Sequence, residues 1–282
     1  MLFGSFSLAR RIEAAQSQNQ YDYAEAHARL GLSSPCAAAR MSETATALYA
    51  GENSPLTQSF GVGMESQDEP PEQRVKSQLD ALEEFFFTRG AAVHLGIANL
   101  AAKAYTQELG ARGYVVSEYS HVLGLDLRNF ESKETVSSAR AVEEEELDSV
   151  AETIAAGFLE HNVGEAPIAP DFLEIFSVSM RSNGSRAFAV EIGGALAGAG
   201  GITILDDVAM LAGASVQPRL RNQGAQKALI NERLRYAKER GCDVAVVTTT
   251  PGSISQANMQ KIGFSLLYAR VKFSQLTFSP RL

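Results

Sequence analysis

A chain of 282 residues, 45% of them hydrophobic, carries enough apolar material for a sizeable core, and its length favours two domains over one. A net charge of -8 argues against a nucleic-acid partner, and Cys36 with Cys242 are too few and too far apart for a disulfide framework or a zinc site, so a reducing cytoplasm is expected. The opening MLFGSFSLARRIEAAQ places its few apolar residues before the basic ones, the wrong order for a secretory leader, and no run reaches membrane-spanning length, so no membrane partner is expected.

In chain order, residues 5–30 are rich in Ala, Glu and Gln and predict a helix that Gly31 and LSSP end. CAAARMSE and TATALYAG read as a strand hairpin, and TQSFGVGM as a third strand. The acidic, proline-containing ESQDEPPEQ is a loop leading into a helix, RVKSQLDALEEFFFTRG, closed by Gly90. An apolar strand AAVHLGIANL, a helix AAKAYTQELGARG and a strand pair within YVVSEYSHVLGLDL complete a first domain, residues 1–128. The polar, aperiodic NFESKETVS, 129–137, reads as a linker.

The second domain, 138–282, opens with a short strand, SARAV. Leu147, Val150, Ile154 and Phe158 then recur at helical spacing behind the run Glu143 to Glu146, whose charges suit the positive end of a helix. A second helix spans APIAPDFLEIFSVSM. RAFAVEI, GALAGAGGITIL and VAMLAGASV follow as a three-strand meander with GG and DD turns. PRLRNQGAQ separates the meander from a helix that runs to Arg240 and stops at Gly241. CDVAVVTTT reads as a strand buried on both faces, PGSISQANMQKIGF as a turn, short helix and glycine stop, and SLLYARVKF as a last strand.

The halves resemble one another. FFFTRGAAVHL precedes LGARGYVVSEYS in the first, and RYAKERGCDVAVV precedes MQKIGFSLLYAR in the second, with helix-stop glycines 23 residues apart, Gly90 to Gly113, and 22 apart, Gly241 to Gly263. A long period seen twice predicts duplicated domains. The loops before the equivalent helices differ: PRLRNQGAQ is basic and glycine-containing, ESQDEPPEQ acidic. A strand, a glycine turn and a helix start form a site for an anion such as phosphate, with Arg219, Arg221 and Lys227 adding charge. Neither a phosphate loop of the GxxxxGK[ST] type nor GxGxxG is present.

From residue 136 to 276 the series of strand, two helices, meander, Arg-x-x-Gly loop, helix, buried strand, helix and strands resembles the GNAT family of acetyl-CoA-dependent N-acetyltransferases. Val216, Pro218, Arg221 and Gly224 match its V-x-P-x-x-[RQ]-x-x-G pattern. GAQ with AL, GCD with A, PGS with SQ, and GF with Tyr268 and Arg270 match a bacterial subgroup. The resemblance implies an α/β fold of tandem GNAT-like domains, each a mixed, largely antiparallel central sheet flanked by helices, with the first a degenerate copy. It implies that Ala214, Ser215 and Val216 hold the pantetheine arm and polarise the thioester carbonyl. Arg221, Asn222, Gln223, Gly224, Ala225, Gln226 and Lys227 would hold the CoA pyrophosphate, with Ser255 close by. Two departures stand out: Gln226 replaces the usual Gly or Ala, and Met259 stands where many members carry a Tyr that protonates the leaving thiolate.

The implied reaction is direct attack of a primary amine on the thioester of acetyl-CoA, without a metal. The acceptor is a small-molecule or peptide amine, and the chain is expected to be a monomer or a homodimer. A free alkyl amine is protonated at neutral pH, so a carboxylate or a water chain must take its proton. Glu191 is the candidate base, with Asp206, Asp207 and Glu165 as alternatives that are equally ordinary surface carboxylates. Tyr268 is the candidate replacement acid and is also a plain core tyrosine by position, and His161 is a substrate-facing candidate in a polar loop. The alternative from another class is a non-catalytic acyl-CoA sensor or scaffold with a pseudo-GNAT fold, which Met259 encourages.

Overall fold

The structure, a computed structural model, describes residues 2–133 and 135–275. Glu134 of the expected linker lies outside them. The chain divides into two compact units, one running to Leu125 and resuming at Thr248, the other spanning Asp126–Val247. This division departs from the expected one, because the final helix and strand group with the first half of the sequence.

The first unit opens with α1, Phe6–Arg29, whose N-cap Ser5 accepts a hydrogen bond from the Leu8 amide. The helix is polar in composition, and its buried face explains why: Ser17 Oγ donates to Thr46 Oγ1 at 2.7 Å, and Gln20 Nε2 donates to the Gln58 carbonyl at 2.8 Å. Strands β1, Ala37–Arg40, β2, Thr46–Tyr49, and β3, Gln58–Phe60, form an antiparallel meander. Helix α2, Glu72–Phe87, carries the chain to β4, His94–Ala98, which lies parallel to β3. Val75, Leu79, Leu82 and Phe86 recur at helical spacing and are buried against Leu95 and Ile97 in one core cluster. Helix α3, Lys103–Ala111, leads to β5, Val115–Asp126. The expected strand pair in this stretch is one continuous strand.

The second unit begins with β6, Ala139–Ala141. Glu143 and Glu146 form a reciprocal capping box ahead of α4, Leu147–Phe158, which accounts for the acidic run. Helix α5, Pro170–Met180, has its proline in the first turn, where no amide hydrogen is needed. The meander β7, Ser185–Ile192, β8, Ala195–Leu205, and β9, Val208–Val216, is antiparallel throughout. Helix α6, Ala225–Glu239, connects it to β10, Val244–Thr249, which runs parallel to β9. Helices α4 and α5 bury Val150, Ala151, Ile154 and Phe176 over Ala187, Ala189 and Ala199 of the sheet.

Helix α7, Ile254–Ile262, and strand β11, Ser265–Ser274, return to the first unit. Strand β11 is antiparallel to both β4 and β5 and takes its place between them. Local pattern marked β11 as a strand but could not name its neighbours, because pairing partners are set by long-range contacts. The register of β11 places Tyr268 and Arg270 in the core, at 4% exposure each, where both bond to Glu13 of α1.

Candidate functional site

Strand β9 changes character along its length. It pairs with β10 at Val208, Ala209 and Met210, and with β8 to its end. Beyond Met210 the pairing with β10 stops, and residues 212–216 are at least partly exposed. Within this stretch the register against β8 jumps from Gly201–Ala212 to Ala199–Ser215. Gly213 and Ala214 therefore share one partner, which defines a β-bulge, and Gly213 takes a φ of +52°. A bulge tilts backbone amides and carbonyls out of the ladder, so this is where the strand has polar groups to offer a ligand.

Around the bulge, side chains point to two sides. Ser215 Oγ donates to the Ile154 carbonyl of α4 at 2.9 Å. Gly157 of α4 sits so close that any Cβ there would collide with Ser215. Ala214 faces α6 instead, beside Gly200 and Arg233. Ser215 is therefore bound to the scaffold through its side chain and has only its backbone for a ligand.

The chain then turns through Gln217, whose amide side chain donates to the Leu196 carbonyl at 2.6 Å and accepts from the Val163 amide at 2.9 Å. Asn222 and Gly224 have left-handed backbones, φ +63° and +86°. Gly224 is the N-cap of α6 and provides no side-chain cap for its first turn, Ala225 to Lys227. A first helical turn presents amide hydrogens with no carbonyl partner inside the helix, and the helix dipole adds positive potential there.

The Arg221 side chain is committed to groups of the chain itself. Its guanidinium forms a two-point ion pair with Glu160, at 2.6 and 3.1 Å, and donates to the carbonyls of Val216, at 3.1 Å, and Gly157, at 3.3 Å. It clamps the loop to the C-terminal end of α4. Arg219 is an exposed side chain 3.7 Å from Glu165. Lys227, in the first turn of α6, is exposed and makes no ion pair among the described residues. Of the three expected cations, Arg221 is committed to Glu160, Arg219 is loosely paired, and Lys227 has no ion pair among the described residues.

Of the expected linker, described residues on both sides of Glu134 bond to α6 and to the loop before it. Lys238 Nζ donates to the Phe130 carbonyl at 2.6 Å, and the Asn231 amide bonds both Ser132 Oγ and the Lys133 amide, each at 2.9 Å. Ser137 Oγ donates to the Gln223 carbonyl at 2.8 Å. A methyl placed on Gly224 would lie 3.6 Å from Ser137 Oγ and 3.7 Å from Val136 Cβ, so these two residues rim the helix start. The stretch expected to be a linker is thus pinned to the loop's own helix.

The candidate proton carriers are placed as follows. Glu191 is exposed and 2.8 Å from Arg140, which also pairs with Glu146. Asp206 and Asp207 form the turn before β9, six residues from the bulge and so about 20 Å along an extended strand. Glu165 accepts from both nitrogens of Asn162, at 2.8 and 2.9 Å, and these hydrogen bonds hold its carboxyl below the usual range, which makes it a poorer base. His161 lies between Glu160 and Asn162, its Nδ1 3.2 Å from the Asn162 carbonyl oxygen.

Tyr268 lies in the first unit, where its hydroxyl donates to Glu13 Oε1 at 2.6 Å. Burial, and then the Glu13 charge, raise its phenol well above the ordinary range. The side chain proposed as an accessible acid is therefore a core group held by a buried carboxylate. Ser255 also belongs with the first unit, exposed in α7, whose cap is Ser253, accepting from the Gln256 amide at 3.2 Å. The second unit itself gathers Ala214 to Val216 and Arg221 to Lys227. Sequence reasoning missed Glu160, Asn162, Gln217, Ser137 and Asn231, which hold these residues in place; the left-handed Glu160 and the polar linker carried no pattern that points at the loop.

The acidic counterpart in the first unit is closed differently. There α2, the equivalent of α6, starts after Pro71, again without a side-chain cap, and the Glu69 carboxylate of the loop accepts from the Lys103 and Ala104 amides at the start of α3, at 3.0 and 3.2 Å. The neighbouring cavity of ≈ 160 Å³ is lined by Glu65, Asp68 and Glu69 together with Arg74, a wall with more negative than positive charge. Among the described residues no cluster of His, Cys, Asp and Glu is arranged to hold a metal, and no helix is long and apolar enough to cross a membrane.

Residues 149–264 match the acetyltransferase (GNAT) family model. Among solved structures, the fold is similar to a GCN5-related N-acetyltransferase from Kribbella flavida, at 17% identity over 95% of this chain and 96% of that one, with a TM-score of 0.67. It is also similar to a tandem GNAT protein from the clavulanic acid biosynthesis pathway, at 12% identity over 93% and 96%, TM-score 0.57. A GCN5-related N-acetyltransferase from Sphaerobacter thermophilus follows at 12% identity over 82% and 80%, TM-score 0.56. No curated protein matches the chain.

Proposed function

Because residues 149–264 form a domain of the acetyltransferase (GNAT) family within a tandem GNAT fold, we propose that the chain transfers an acetyl group from acetyl-CoA to a primary amine at the bulge of β9. The observation that carries this reading is the continuity of two backbone features: a bulge at Gly213–Ala214, and, further along the same stretch of chain, an uncapped helix start after the left-handed Gly224. The first suits the amide-rich pantetheine arm and its thioester, the second the pyrophosphate. The helix start suits an anion, since a methyl on Gly224 would meet no described atom closer than 3.6 Å and Lys227 supplies a cation.

In this reading Arg221 is a positioning residue that fixes the loop, while the backbone of the first turn of α6 and Lys227 bind phosphate. The amine lone pair attacks the thioester carbon and the carbonyl electron pair moves to oxygen, where bulge amides stabilise it. Collapse breaks the C–S bond and the pair leaves on sulfur. A thiol titrates near 8.5, so the departing thiolate takes its proton from water without a tyrosine. Water also accepts the amine proton, in keeping with Glu191 being engaged by Arg140.

A non-catalytic acyl-CoA binder is the rival reading, favoured by the buried Met259 and the inaccessible Tyr268. Thiol release decides between them. Purified protein given acetyl-CoA and a panel of polyamines, amino sugars and peptide N-termini is expected to release CoA thiol with at least one acceptor. The double substitution Arg221→Ala with Gly224→Pro is expected to abolish CoA binding by calorimetry. CoA binding without release from any acceptor would establish the sensor, and unchanged binding in the double variant would place the site elsewhere.

A further inference from the structure

Arg233 of α6 is 3% exposed, and among the described residues it has no carboxylate partner. Its Nε donates to the Leu229 carbonyl one turn back, at 3.1 Å, and its Nη1 to the Gly201 carbonyl of β8, at 2.9 Å. Nη2 makes no hydrogen bond to any described residue. Burial alone lowers the guanidinium to about 10, which leaves it charged at neutral pH. Other buried guanidinium groups among the described residues have carboxylates: Arg270 has Glu13, and Arg112 has Asp80, Glu83 and Glu108. An isolated buried charge opposes folding, so its retention calls for a compensating role.

Its position supplies one. Gly200 is the residue opposite the bulge, and a methyl placed on it would lie 2.7 Å from Ala214 Cβ and 3.1 Å from both Cζ and Nη1 of Arg233. Absence of a side chain at Gly200 is what lets the guanidinium come up beneath the bulge. The charge therefore stands directly behind the backbone that the proposed reaction uses, in surroundings of low dielectric where a charge acts strongly over several ångströms.

We propose that Arg233 is an electrostatic positioning residue of the acyl-transfer site, its unneutralised charge stabilising the negative oxygen that forms when an amine adds to the thioester at the β9 bulge. The inference rests on the acyl-transfer reading above. In the addition step the C–N bond forms as the carbonyl pair moves to oxygen; in the collapse that pair returns, C–S breaks, and sulfur leaves with its electrons. Arg233 donates and accepts no proton. It acts on the interval in which charge resides on oxygen, so its contribution belongs to kcat and not to the binding of CoA.

The test uses the full chain with Arg233→Met and Arg233→Lys, reading thiol release from acetyl-CoA, CoA affinity and thermal melting together. Arg233→Met is expected to bind CoA as the wild type does and to melt at the same or a higher temperature, because an unpaired buried charge has gone. Its kcat is expected to fall about tenfold or more, with Arg233→Lys intermediate. Wild-type kcat in Arg233→Met overturns the proposal. So does a loss of kcat that merely accompanies lowered melting and weakened CoA binding, since that marks a scaffold residue. A wild-type protein that releases no thiol with any acceptor overturns the acyl-transfer reading itself, and the role of Arg233 with it.

Discussion

Arg221 reverses a common expectation about a basic residue in a phosphate loop. Its planar fork meets the Glu160 carboxylate with two nitrogens while also reaching the Val216 and Gly157 carbonyls, an arrangement that an ammonium group cannot reproduce. Arg221→Lys is therefore expected to weaken CoA binding about five- to tenfold, roughly 1 kcal/mol, although the charge is retained. Calorimetric titration checks this, and an unchanged affinity would show that the site needs only a positive charge. The loop itself was legible from Val216, Pro218, Arg221 and Gly224. The direction in which Arg221 faces was not, because its acceptors on Gly157 and Glu160 lie some sixty residues upstream and follow no local pattern. Tyr268 illustrates the same limit. Its position shortly after Gly263 suggested a place near a thiolate, whereas its surroundings are decided by Glu13, 255 residues away in sequence.

At the scale of elements, helix boundaries and the meander were well announced by glycines and by apolar spacing. Gly241 and Gly263 follow their helices with positive φ, as the sequence suggested. The polar stretch 129–137 reads as a linker because it has no periodicity. Its described residues Phe130, Ser132 and Lys133 are held by side chains on α6, Asn231 and Lys238, two turns apart on one face. Since Ser137 ends this segment on the Gln223 carbonyl, the segment steadies the peptide just before Gly224. Asn231→Ala and Ser137→Ala are each expected to raise the KM for acetyl-CoA about three- to fivefold, the equivalent of one modest hydrogen bond, while leaving kcat within twofold. Steady-state kinetics measure both quantities. A fall in kcat with constant KM would mean that the segment acts on chemistry and not on the cofactor loop.

Taken as a whole molecule, the duplication was visible before any coordinates: each half runs meander, loop, helix, parallel strand, helix and long strand. The sequence suggested a cut near residue 128, because the two copies follow one another there. The described units do not respect that order, since β11 has its two neighbours, β4 and β5, in the first unit. A fragment ending at residue 128 lacks the strand between β4 and β5, and lacks Tyr268 and Arg270, which bond Oε1 of the buried Glu13. It is expected to be insoluble or to unfold without a cooperative transition. Circular dichroism melting of the isolated fragment checks this, and a sharp, reversible melt would show that the first copy is complete without β11.

The location of β11 also imposes an order on synthesis. The ribosome makes β4 and β5 early, then the entire Asp126–Val247 unit, and only afterwards the strand that fits between them. Until then the nascent first half has two unpaired strand edges and a carboxylate, Glu13, awaiting its partners. Exposed edges of this kind recruit other chains, so the newborn protein depends on whatever shields them for as long as translation of the later half takes. A slow codon stretch between residues 126 and 247 would prolong that exposure without altering a single contact in the finished molecule.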